Sequence, residues 1–136
     1  MAGSATIIKN KREGSYREII WKWTSNGSGA VNGVGKIHVP QGTIVGMWSD
    51  PGSGVTDEWD VTLPGTVILP NGETTSVTDM LNGNGADLSN STNGEIVNLD
   101  VTLFVPNNTE IGLSITNAGS EVSGYFMLFI WEEQMP

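Results

Sequence analysis

Cysteine is absent from the 136 residues. Disulfides and thiolate metal sites are therefore excluded, and burial and hydrogen bonding must hold the fold. Histidine occurs once, as His38, too few imidazoles for a histidine-based zinc site. No Ser or Cys stands near it in a nucleophilic pattern. No run approaches the ~18 apolar residues of a membrane helix. Met1–Ala5 lacks an apolar segment, so no secretory signal is expected. The motifs G-x-S-x-G, G-x-x-x-x-G-K-[ST] and H-E-x-x-H do not occur. Gly27, Gly29 and Gly33 miss the dinucleotide-binding spacing and precede a strand pattern. The expectation is a non-enzyme without cofactor or metal.

Positive charge is missing from most of the chain. All six Lys and Arg residues lie between Lys9 and Lys36, and none follows. Of the fifteen carboxylates only Glu13 and Glu18 share that front segment; the other thirteen follow it. A front of about +4 thus precedes a body of about −13. A net charge of −9 repels nucleic acid and anionic membranes, so neither is an expected partner. Residues 1–15 read as a basic N-terminal arm, extended or disordered when free, with a reach of roughly 50 Å. Residues 16–136 read as one folded domain.

What is abundant is the material of strands and turns. Gly numbers 18, and the charged fraction is only 15%. Period-2 alternation runs through Tyr16–Thr24, with Ile19, Trp21 and Trp23 on one face. It continues over Val31–Val39, where Gly33 and Gly35 mark a bulge or close packing. Further strands read at Thr43–Ser49, Glu58–Leu63, Thr66–Leu69, Ile96–Val105, Glu110–Thr116 and Ser123–Trp131. In Ile96–Val105 the inward face is Val97, Leu99, Val101, Leu103 and Val105. Val77–Leu81 reads as a single helical turn. About eight mostly antiparallel strands predict an all-β sandwich, a jelly roll or related Greek key, with an immunoglobulin-like sandwich as runner-up. The last strand is apolar on both faces. It is either covered on both sides or presents one face to a partner.

Asp50, Asp57, Glu58 and Asp60 cluster near Gly-rich turns, as does Asn82–Asp87. Neither matches a calcium-loop spacing, so capping of loop amides is the favoured reading over a calcium site. Trp21, Trp23 and Trp59 fall on core faces, whereas Trp48 and Trp131 are expected at a surface or interface. The sequons at Asn26, Asn90 and Asn107 carry no further signal in a chain this rich in Asn, Ser and Thr.

The segments Ser49-Asp50-Pro51-Gly52, Thr56-Asp57-Glu58-Trp59-Asp60-Val61-Thr62-Leu63 and Asp79-Met80-Leu81-Asn82-Gly83-Asn84-Gly85-Ala86-Asp87, with Ile115-Thr116-Asn117-Ala118-Gly119 and the Gly124-containing last strand, resemble small virion proteins encoded near the head genes of tailed bacteriophages. The likeness covers roughly Ile20 to Trp131. It implies a capsid decoration, or cement, protein: a β-sandwich, dimeric or trimeric, located on the virion surface after synthesis in the host cytoplasm. Its partner would be the major capsid protein, and no catalytic residue is carried over. On the residues themselves, partner binding is expected at Lys9, Lys11, Arg12 and Arg17 of the basic front and at Trp48 and Trp131. The alternative is a carbohydrate- or receptor-binding module of a phage tail, using the same exposed rings.

Overall fold

The computed structural model describes residues 3–90, 95–106 and 108–132, with 95–103 described by their backbone. In chain order the strands are β1 (Ser4–Glu13), β2 (Tyr16–Thr24), β3 (Val31–Val39), β4 (Gly42–Pro51) and β5 (Asp60–Thr62). They continue as β6 (Gly65–Ile68), β7 (Thr74–Val77), β8 (Glu95–Val105), β9 (Thr109–Thr116) and β10 (Ser123–Trp131). Two antiparallel five-stranded sheets result, with no α-helix among the described residues. The first has the order β1-β2-β10-β4-β8. The second has the order β3-β9-β6-β7, and β5 pairs with the far end of β9.

The core lies between the sheets and follows the alternation in the sequence. Ile19, Trp21 and Trp23 of β2 point inward beside Phe126, Leu128 and Ile130 of β10, all fully buried. Val31, Ile111, Leu113 and Ile115 meet them from the second sheet. Each such side chain contributes about 1.5–3 kcal/mol by leaving water. Trp59 is buried as expected; its ring lies 5.2 Å from that of Trp23, and its Nε1 donates to the Ser89 carbonyl at 3.0 Å. Trp21 Nε1 donates to the Gly35 carbonyl at 2.8 Å. At Gly35 φ is +65°, and an added Cβ would stand 2.9 Å from Trp21 Cδ1. The irregularity expected at Gly33 and Gly35 is present: the β3–β9 register shifts between Val31 and Val34 and again before Ile37.

Three expectations need correction. Residues 1–15 are not a free arm: Ser4–Glu13 pairs along its length with β2, from Ser4 opposite Thr24 to Glu13 opposite Tyr16. The sandwich therefore begins at β1, and residue 15 is no domain boundary; Met1 and Ala2 lie outside the described residues. The pairing is favoured because Ala5 and Ile7 pack against the core and β2 gains a hydrogen-bonded neighbour. Second, the described residues form ten strands where about eight were expected, the additions being β1 and β7. Third, the helical turn expected over Val77–Leu81 is the end of β7 and a following turn. Asp79 organises that turn by accepting from the amides of Leu63, Leu81 and Gly83 at 2.9–3.0 Å. The faces assigned to Val97, Leu99, Val101 and Leu103 lie outside the described side chains, as does the Asn107 sequon.

Candidate interaction face

The outer surface of the first sheet is built row by row from the strand registers. Thr6, Lys22, Tyr125 and Asp50 form one row across β1, β2, β10 and β4. Lys9, Ile20, Met127 and Trp48 form the next, then Lys11, Glu18, Phe129 and Gly46, then Glu13, Tyr16, Trp131 and Thr43. A bulge in β1 adds Ile8 and one in β4 adds Val45. The face is rich in large apolar side chains that no described residue covers. Ile8 is 54% exposed, Tyr16 52%, and Trp131 39%; Tyr125 and Val45 are also exposed. Ile20, Trp48, Met127 and Phe129 are half-buried among them. The Tyr16 and Trp131 rings meet edge to face, with centroids 4.7 Å apart at 80°. Of the two alternatives for the last strand, its outer face is thus the open one: β10 is central, yet among the described residues only its inner face is covered.

The expected partner-binding residues divide between two places. Lys9, Lys11, Trp48 and Trp131 belong to this face. Arg12 and Arg17 point to the opposite side of the sheet, where the sandwich closes. Arg17 Nε donates to Glu132, Arg17 Nη1 donates to Asn10 Oδ1 at 2.7 Å, and Arg12 Nε stands 3.3 Å from Glu132 Oε2. The Glu132 side chain is 3% exposed, so the two arginines neutralise a buried carboxylate and are structural groups. On the outer face Lys9 pairs with Glu18 at 3.0 Å and Lys11 with Glu13 at 3.1 Å. Such exposed pairs contribute about 0–1 kcal/mol each. Lys22 and Asp50 have no ionic partner among the described residues.

The second sheet presents a different surface. A hollow of about 490 Å³ there is lined by Thr62, Thr66, Ser76, Ser114, Lys36 and Glu110, among others, with no aromatic ring in its lining. His38 lies nearby, largely exposed, with Nε2 3.8 Å from Glu110 Oε2. Of the four clustered carboxylates, Asp57 and Asp60 cap amides: Asp57 accepts from Asn90 N at 3.1 Å, and Asp60 from Asp87 N at 2.9 Å and Asn117 Nδ2 at 2.7 Å. No group of three or more His, Asp or Glu side chains positioned to hold a metal occurs among the described residues.

Sequence reasoning missed Ile8, Tyr16, Ile20, Lys22, Asp50 and Tyr125 as members of one face. The available signal was the two-sided apolarity of Ser123–Trp131; only the register shows which residues flank it. Comparison of the chain with family models, with curated proteins and with solved structures gives no match.

Proposed function

We propose that this chain is a structural adhesion protein of a virion, which coats the outside of a phage capsid and ties neighbouring major capsid subunits together. The observation that carries the reading is the outer face of the first sheet. Exposed Ile8, Tyr16, Tyr125, Val45 and Trp131 form a contiguous apolar and aromatic surface, the composition of a contact face awaiting a protein partner. The strand order adds support. From β2 to β10 the chain crosses from sheet to sheet at each step except over β5, β6 and β7, which stay in the second sheet, β5 and β6 end to end beside β9 and β7 beside β6. That order agrees with a jelly roll, an architecture found in viral capsids and in lectins. Fold alone assigns no role, so the resemblance to phage decoration proteins supplies the capsid as partner.

The basic front takes a different part from the one a free arm would play. As the outermost strand of its sheet, β1 offers an open edge flanked by Lys9 and Lys11. A strand of the shell can add to that edge through main-chain hydrogen bonds. The non-enzymatic reading rests on His38 standing out in solvent and on Asp57, Asp60 and Asp79 being engaged by amides.

Cryo-electron microscopy of phage particles from the source of this chain tests the proposal. The expected result is density for a 14.5 kDa sandwich on the outer shell, lost with Met127→Lys. Its absence from heads overturns the reading. The exposed rings Tyr16, Tyr125 and Trp131 favour one second reading, a carbohydrate-binding module. A glycan array separates the two: sugar binding that disappears in Trp131→Ala supports the lectin, and a blank array supports the adhesion protein.

A further inference from the structure

Lys22 and Asp50 are of opposite charge, lack an ionic partner among the described residues, and flank the same side chain. Tyr125 is in register with Lys22 on one side and with Asp50 on the other. The other charges that these strands place on the face, Lys9 with Glu18 and Lys11 with Glu13, are already paired. With neighbouring strands about 4.8 Å apart, Lys22 and Asp50 lie on opposite sides of β10, each about 5 Å from its axis. A half-turn about an axis above the face and parallel to β10 exchanges the positions of β2 and β4. It sets Lys22 over Asp50 of a second copy, and does so twice, as an isologous contact requires. The same rotation sets Ile20 over Trp48 and brings Met127 and Phe129 onto their own counterparts.

We propose that the outer face of the first sheet binds a second copy of this chain, face to face about a two-fold axis along β10, fixed by reciprocal Lys22–Asp50 ion pairs. The inference rests on the adhesive reading of this face given above and names its occupant. An axis across the strands instead sets Lys22 over Glu18, which Lys9 already neutralises, and leaves Asp50 against Gly46. Size agrees as well. Four strands of about nine residues span roughly 19 by 30 Å, and side-chain relief brings that near the ~800 Å² per partner of a specific interface. Sheets pack face to face at about 10 Å with their strands within about 30°, which the two-fold axis permits. The dimer leaves the open edge of β1 free for the shell.

Sedimentation velocity over a range of concentrations tests it, with circular dichroism confirming that each variant is folded. The wild type is expected to dimerise. Lys22→Asp and Asp50→Lys are each expected to weaken the dimer by about tenfold or more, because each places like charges together twice. Mixing the two variants is expected to restore a heterodimer to within about threefold of wild type, since both pairs are then attractive. Lys36→Asp on the other sheet is expected to change nothing. A wild-type monomer, indifference to either reversal, or failure of the mixture to recover each overturns the proposal. A monomer that still coats phage heads, and loses them with Met127→Lys, would sink the dimer and keep the adhesive reading. A dimer of this kind found on no particle would keep the dimer and sink the virion reading.

Discussion

Arg17 donates through Nε to the carboxylate of Glu132, a partner 115 residues further along the chain. Arg12 stands against the other carboxylate oxygen, and the Glu132 amide donates to the Ser15 carbonyl at 2.6 Å. The hairpin of β1 and β2 is thereby tied to the residue that follows β10. Glu132→Ala leaves two cations facing a partly dry pocket without their counter-charge. The expected loss is about 2–3 kcal/mol, read from urea unfolding, with Glu132→Gln retaining part of the stability.

Ser49 points into the core from β4, and its hydroxyl has no hydrogen-bond partner among the described residues. A buried unpaired hydroxyl costs about 1–3 kcal/mol relative to an apolar group. Ser49→Ala is therefore expected to raise stability by about 1 kcal/mol, seen as a higher urea midpoint with an unchanged slope. A fall in the midpoint would contradict the assignment.

Asp79 holds three backbone amides, those of Leu63, Leu81 and Gly83. Asp79→Ala leaves the turn after β7 without its acceptor and is expected to cost about 2 kcal/mol. Limited proteolysis is expected to cut first between residues 78 and 88. Asp79→Asn keeps an acceptor oxygen and is expected to lose about half as much.

Deleting residues 1–13 removes a strand of the sheet, including the partly buried Ala5 and Ile7. It also uncovers the full edge of β2. The expected outcome is a lower thermal midpoint together with concentration-dependent association through the new edge. A truncated protein as stable and as monodisperse as the intact chain would show β1 to be dispensable.

Strands whose inner faces are apolar were legible from alternation alone: the bounds read for Tyr16–Thr24 and Val31–Val39 are those of β2 and β3. Trp21, Trp23 and Trp59 likewise fell in the core. β1 was not legible because its apolar alternation stops after Ile7. Its bulge places Ile8 and then Lys9 outward, and its later inward positions are Asn10 and Arg12, which meet Arg17 and Glu132 instead of hydrocarbon. Periodicity measures burial against an apolar core, and it is blind to a strand sealed by ion pairs. β7 escaped for a related reason: Thr74, Thr75 and Ser76 are exposed at a sheet edge, so they carry no alternating burial to read. Of the candidate face, the apolar outer side of β10 was visible in the sequence. The alignment of Lys22 and Asp50 about Tyr125 was not, because register between distant strands is a tertiary property.

Ser123–Trp131 lies between β2 and β4, both made long before it. During synthesis those two strands emerge from the ribosome with a vacant slot between them, and neither can complete its ladder until the latecomer arrives. Such dependence on contacts across most of the chain makes for slow folding. Meanwhile the nascent protein carries open edges that invite premature pairing with its siblings. Its yield in a cell is therefore expected to depend on protection through that interval as well as on the strength of the finished sandwich.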